Sequence, residues 1–230
     1  MPADRTTILL TGFGPFPGIP ANATSVLVPR IADAVADAFA GTAVHTEILP
    51  TEWHAGLSRL SQLYAHVQPT LALHFGVSSR ANGFEIETRG RNVCQPAQDA
   101  AGCLPSHPCV TPDGPEFVPT SLPAAHIVAR LRQRGLPASL SRDAGGYLCN
   151  ALLYRSGELA RRQTGPVRAG FVHLPSGLVH ERNPARGPLS RCRLDWDDVV
   201  EGGIEIIAAC LGRAPVAIRR STVRSTFRML

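Results

Sequence analysis

The sequence predicts one α/β domain: a mostly parallel, twisted sheet with helices on both faces. Short apolar runs of buried-strand type alternate along the chain with amphipathic segments of helical period, the pattern of strand–helix–strand units. Of the 230 residues, 44% are hydrophobic and 18% charged, enough apolar mass for a full core and too little charge for general disorder. No internal repeat and no linker interrupts the alternation, so residues 1–212 are expected to form the single domain, with 213–230 as a basic carboxy-terminal extension.

The elements follow in order. Thr7 to Thr11 is a short apolar strand. Ser25 to Phe39 has helical spacing, but Pro29 removes a backbone donor, so either the regular helix begins near Val28 or it is kinked at the proline. Ala43 to Leu49 alternates as a strand does. His54 to Val67 sets Leu57, Leu60, Leu63, Tyr64 and Val67 on one stripe, and Pro69 stops the helix. Leu71 to Phe75 is a second buried-type strand. Phe84-Glu-Ile-Glu-Thr88 alternates, with Phe84 and Ile86 on one face and Glu85 and Glu87 on the other. Gln95 to Pro123 is a long Pro/Gly-rich excursion, of a length usually functional or mobile. Pro123 suits the first turn of a helix that follows Ser121 and runs through Ile127, Val128 and Leu131 to Gly135. Ala138 to Ser141 suits a short strand, Gly145 and Gly146 a tight turn, and Tyr147 to Gln163 a helix with Leu148, Leu152 and Leu159 on one side. Val167 to Leu174 is a buried strand. Asp195 to Leu211 has acids in its first turn and the stripe Val199, Val200, Ile204 and Ile207, weakened by Gly202 and Gly203.

Composition excludes several function classes. No run approaches the eighteen or so apolar residues of a membrane span, and the amino terminus lacks the basic-then-apolar layout of a secretory signal, so a cytoplasmic, non-membrane protein with its six cysteines reduced is expected. The net charge of +5 comes largely from arginine, and its dense cluster is Arg213, Arg219, Arg220, Arg224 and Arg228 in the extension. The body has no aromatic–basic interleaving, so nucleic acid is not an expected partner. Gly12 and Gly14 follow a strand, but the next glycine is Gly18, Pro15 and Pro17 block an immediate helix, and Asp33 lies within a helical pattern; a dinucleotide cofactor is not expected. Cys94, Cys103, His107 and Cys109 form no C-x₂-C pair and match no common zinc spacing. No metal is expected. The histidines at 45, 54, 66, 74, 126 and 180 read as surface or core residues.

One constellation carries chemistry. Cys149 sits in Ser141-Arg-Asp-Ala-Gly-Gly-Tyr-Leu-Cys-Asn150, at the start of the helix after the glycine turn, and His173 follows in Gly170-Phe-Val-His-Leu-Pro175. A thiol there feels the positive end of the helix dipole and unpaired backbone N–H groups, which favour a thiolate and supply donors to a developing oxyanion. The apolar strand carries the imidazole to the same edge of the sheet. The pattern is that of a nucleophile and its base; its plain alternative is a small cysteine packed in the core.

Six segments extend the pattern in register: Leu10-Thr-Gly-Phe-Gly-Pro-Phe16, Asn22-Ala-Thr24, Ile48-Leu-Pro-Thr51, Gly76 through Asn92, Ala144-Gly-Gly-Tyr-Leu-Cys-Asn150, and Phe171-Val-His-Leu-Pro175. On these the chain resembles the pyrrolidone-carboxylate peptidases, cysteine-type pyroglutamyl peptidases, from about residue 7 to residue 212. The resemblance implies a phosphorylase/hydrolase-like fold, hydrolysis of an amino-terminal pyroglutamyl residue from peptides, no cofactor, and assembly as a homodimer or homotetramer. It implies a catalytic set of Cys149, His173 and Glu87, and it decides between Glu85 and Glu87, because the family's glutamate stands five residues before an asparagine, here Asn92. It further implies that Phe13 and Phe16 cover the pyrrolidone ring, and that Val77, Tyr147 and Leu148 line the substrate site. Two departures stand out. The family's Ala-Arg-x-Pro-Asp stretch is replaced by Val93-Cys-Gln-Pro-Ala-Gln-Asp99, leaving Arg89, Arg91 or a differently built wall in place of its arginine, and Ser78-Ser79-Arg80 stands for Gly-Gly-Arg. Two rival classes share parts of the pattern: a nucleoside-phosphorylase-like enzyme, which would need a phosphate cradle and no thiol, and a non-catalytic peptide-binding or redox-sensing homologue, which would show a reactive Cys149 without turnover.

Overall fold

The computed structural model describes residues 6–178, 192 and 194–216. Its elements run β1 (Thr7–Phe13), α1 (Thr24–Ala38), β2 (Ala43–Leu49), α2 (Trp53–Val67), β3 (Leu71–Ser78), β4 (Phe84–Glu87), β5 (Arg89–Arg91), β6 (Phe117–Pro119), α3 (Ala124–Gln133), β7 (Ala138–Ser141), α4 (Leu148–Arg162), β8 (Arg168–Pro175) and α5 (Trp196–Leu211). Six strands form one sheet in the order β2-β1-β3-β8-β4-β7, parallel throughout except that β4 runs antiparallel to β8. β5 and β6 make a separate antiparallel ribbon.

Alternating side chains divide the core in two. Ile8, Leu10, Leu71, Leu73, Phe75, Phe84, Ile86, Val172 and Leu174 meet α1, α3 and α5 on one face. Leu9, Phe13, Ala72, Ala169 and Phe171 meet α2 and α4 on the other. Each large apolar side chain so buried contributes about 1.5–3 kcal/mol of transfer free energy. The predicted weak point of α5 has a packing reason: a Cβ at Gly202 would come within 2.2 Å of the Phe84 ring and one at Gly203 within 2.7 Å of Ile31, so the glycines let α5 lie close on β4 and α1. Asp195 caps that helix in a reciprocal capping box with Asp198.

Three expectations change. Pro29 neither delays nor divides α1, which is assigned as one helix from Thr24; the proline lies on its exposed face, where the carbonyl it leaves unbonded can meet water. β1 and β3 run beyond the predicted Thr11 and Phe75, to Phe13 and Ser78. The 95–123 excursion is tied down along its length. β6 pairs with β5, Asn92 accepts from the Val110 and Thr111 amides and donates to the Thr111 and Gly114 carbonyls, and Tyr154 donates to Pro115. Arg213, first of the basic cluster, stacks on Phe39, whereas Arg219, Arg220, Arg224, Arg228 and His180 lie outside the described residues. Among the described residues no helix is long and apolar enough to cross a membrane.

Candidate active site

β8 turns Ala169, Phe171 and His173 toward the α2/α4 layer, and β4 turns Glu85 and Glu87 the same way, because Phe84 and Ile86 are committed to the opposite core. The antiparallel register sets Glu85 directly across from His173 and leaves Glu87 on the diagonal. It is the diagonal residue that makes the bond: His173 Nδ1 lies 2.8 Å from Glu87 Oε1, with the carboxylate 0% and the imidazole 5% exposed. A carboxylate can only accept, so Nδ1 donates, and Nε2 is left to face the thiol.

Cys149 is the second residue of α4, and the N-cap Tyr147 makes no side-chain bond to the first N–H groups of the helix. The turn before it holds Gly145 at φ +82°, in the left-handed region, as the glycine pair predicts, and Asp143 Oδ1 accepts from its amide at 3.1 Å. Gly76 pairs with His173 in the β3–β8 ladder. A Cβ there would stand 3.0 Å from Cys149 Sγ and 2.7 Å from the Phe171 ring, so the missing side chain is the space the sulfur occupies. Gly76→Ala is therefore expected to displace the thiol and lower kcat about 10²-fold, a change that steady-state kinetics on the folded variant would register.

Burial alone would depress protonation of His173, but the charge and hydrogen bond of Cys149 and those of Glu87 outweigh it and raise its pKa to about 10. The imidazole therefore carries a proton across the neutral range when a thiolate and a carboxylate flank it. His74 is the contrast. Fully buried between Thr11 Oγ1 and Ser156 Oγ at 2.8 and 2.7 Å, it is lowered by burial to about 3 and stays a neutral core residue. His45, His54, His66 and His126 are exposed.

The remaining expected site residues divide. Phe13 is the last residue of β1 instead of part of a loop; it is 2% exposed and packs against Phe171, whose ring in turn lies 4.8 Å from that of His173. Leu148 is likewise buried. Phe16, Tyr147 and Val77 are half-buried, and Phe16, Tyr147 and Trp53 form a row of rings with centroids 6.0 and 5.1 Å apart. Arg89 reaches the Arg142 carbonyl and stacks on Phe117, while Arg91 binds Asp143 and the Gly145 carbonyl; both brace the turn that leads to Cys149.

Several supporting residues had no chemical signal in the sequence. Asn150, fully buried, accepts from the Arg91 amide at 2.8 Å and donates to the Arg91 and Val93 carbonyls, anchoring the first turn of the thiol helix. Asn22 and Thr51 both donate to the Gly14 carbonyl, and Thr24 accepts from the Phe13 amide, which together hold the 13–16 segment. Asp99 accepts from the Trp53 amide and so caps α2 from the excursion. Cys94, His107 and Cys109 line one pocket, whereas among the described residues the three metal-type donors that lie within 4.8 Å of one another are Glu85, Glu87 and His173. Cys94, Cys103, Cys109, Cys149 and Cys210 are free thiols.

A thiol at a helix start, an imidazole on the neighbouring strand and a buried carboxylate behind it, on one side of an α/β sheet, can together do the chemistry of a thiol hydrolase. The family model described as pyroglutamyl peptidase matches residues 6–189. The chain is 38% identical over 170 residues to a pyrrolidone-carboxylate peptidase of Chromobacterium violaceum, covering 74% of this chain and 77% of that one. It is 32% identical over 169 residues to one of Oceanobacillus iheyensis, covering 74% and 83%. Among solved structures, pyroglutamyl peptidase I of Bacillus amyloliquefaciens superposes with TM-score 0.73 at 25% identity, over 89% of this chain and 96% of that one. A mutant pyrrolidone carboxyl peptidase of Pyrococcus furiosus shares the fold with TM-score 0.78 at 24% identity, over 90% and 99%. The chain belongs to the pyroglutamyl peptidase family, a family of cysteine peptidases.

Proposed function

We propose that this chain is a pyroglutamyl peptidase that removes an amino-terminal pyroglutamyl residue from peptides, with Cys149 as nucleophile, His173 as acid and base and Glu87 as the group that orients the imidazole. The observation that carries this reading is the 2.8 Å contact of His173 Nδ1 with buried Glu87, together with the coupling of the same imidazole to Cys149. The thiolate attacks the pyroglutamyl carbonyl, and amides of the first turn of α4 receive the oxyanion. His173 then protonates the leaving amine, the acyl-thiol forms, and the neutral imidazole takes a proton from the water that releases pyroglutamate. The nucleophile, the base and the oxyanion donors all come from the chain.

A pyroglutamyl end has no free amine, so it must be recognised through its lactam N–H and C=O and an apolar cover. The β1 ladder with β3 ends at the Thr11–His74 pair while the β8 ladder with β3 continues to the Ser78–Pro175 pair, so the backbone around Val77 is laddered on one side and can offer polar groups to a lactam on the other. Half-buried Phe16 and Tyr147, with rings 6.0 Å apart, would supply the apolar cover, and buried Phe13 and Leu148 would pack behind it. Phe16→Ala is expected to lower kcat/KM about ten- to a hundredfold with little effect on melting, whereas Phe13→Ala should cost about 3–5 kcal/mol of stability. Measuring both quantities on each variant separates ring cover from core packing.

The reading is tested by release of an amine reporter from a pyroglutamyl conjugate, with a prolyl conjugate as control. Hydrolysis of the first and not the second is expected; equal rates on both, or none on either, would sink it. Assembly as a homodimer or homotetramer, implied by the family, is read by light scattering.

A further inference from the structure

Glu85 is a charged residue beside the proposed pair that the proposed steps leave unused. β4 presents it on the same side as Glu87, and the register places it straight across the ladder from His173. A carboxylate oxygen of Glu85, one of Glu87 and a ring nitrogen of His173 all lie within 4.8 Å of one another. Glu87 spends Oε1 on the imidazole, and its buried Oε2 has no hydrogen-bond partner among the described residues.

The groups facing Glu85 are Glu87 on its own strand, His173 on β8 and Arg80 from the turn after β3, while its register partner on β7, Ser139, does not titrate. Arg80 is shared with Asp143 at 3.4 Å. His173 is faced in addition by Cys149 from α4. Burial raises the Glu85 carboxyl and Glu87 adds to this, while His173 and Arg80 oppose it; the net direction is upward. Glu85 therefore takes up a proton more readily than an ordinary glutamate.

We propose that Glu85 is a positioning residue for this reaction. Ionised, it is a second carboxylate that helps Glu87 hold His173 as imidazolium, within 4.8 Å of the ring nitrogen. The roles given to Cys149 and His173 rest on the proposed peptidase function, but the geometry of the two carboxylates and the imidazole does not.

The sign of the effect is determined by charge. Replacing Glu85 by Gln removes a negative charge near the imidazolium, so the His173 titration midpoint should fall by about one pH unit. The alkaline limb of kcat/KM should move down with it, while KM on the plateau stays unchanged. Glu85→Asp keeps the charge and should restore most of both. The decisive measurement is the His173 ring titration by NMR in the full chain carrying Cys149→Ala, compared with the same chain carrying in addition Glu85→Gln or Glu85→Asp. It reads the imidazole whether or not the chain turns over substrate. A lower midpoint with Glu85→Gln, recovered with Glu85→Asp, supports the proposal even if no pyroglutamyl conjugate is hydrolysed, in which case only the functional reading fails. Coincident midpoints overturn it. So does a raised KM with an unmoved midpoint, which would make Glu85 a substrate contact.

Discussion

Cys149→Ala is expected to reduce pyroglutamyl hydrolysis by at least about 10⁴-fold while leaving the fold intact. The sulfur is the proposed nucleophile, seated between the imidazole and the amides of the first α4 turn. The side chain is small and half-buried over Gly76, so shortening it removes little packing. Cys149→Ser should be equally inactive, because a hydroxyl in the same place gives up its proton far less readily than a thiol, and alkylation of the thiol should match both. Circular dichroism and a melting curve on the same variants establish that the protein is folded. Wild-type rates in the Ala variant would rule out the mechanism.

Glu87→Gln is expected to lower kcat about 10²- to 10⁴-fold, the range for removing the charge that orients a catalytic imidazole. The amide keeps the shape and one acceptor oxygen but loses the negative charge that balances the imidazolium. The consequence for pH has a definite sign. His173, held at about 10 instead of its ordinary 6.5, stays protonated through neutrality, so the rate should fall on the alkaline side as the Cys149–His173 couple loses its proton. Glu87→Gln should pull that limb toward lower pH. The same linkage bears on stability: a histidine raised on folding contributes in full below pH 6.5, and the contribution is lost as pH rises through about 10. Rate and melting profiles from about pH 6 to about pH 11 check both. A Gln variant whose rate and profile match the wild type would remove Glu87 from the mechanism.

Much of this molecule is legible along the chain because its signals are local. Apolar runs with turn residues at their ends mark β1, β3 and β8, and alternation marks β2; the stripe closed by Pro69 marks α2; and Gly145-Gly146 before Cys149 marks the start of the thiol helix. Helix period, strand alternation and left-handed turns each depend on a few neighbouring residues, which is why they can be read without the fold. Pro29 is the exception that shows the limit. Its local cost predicts a start near Val28 or a kink, yet α1 begins at Thr24, with its buried stripe at Leu27, Val28, Ile31 and Val35 packed on the sheet.

What joins distant segments had to wait for the tertiary structure. Alternation in Phe84-Glu-Ile-Glu87 puts both glutamates on one face, and only the family resemblance points to Glu87; the physical reason is the antiparallel register of β4 on β8, 86 residues apart in sequence at the bond itself, which sets Glu87 on Nδ1 and leaves Glu85 across the ladder. Phe13 and Phe16 read alike in the sequence and separate in space, because β1 runs on to Phe13 and delivers it to the core, while Phe16 stays half-buried against Tyr147. Gly76 has no local reason to be glycine; its reason is the sulfur of Cys149 and the ring of Phe171. Residue types and their periods thus determine the elements and the identity of the thiol and imidazole, while pairing register and close approach, which depend on contacts far apart in the chain, decide which carboxylate meets the imidazole and where the nucleophile has room to stand.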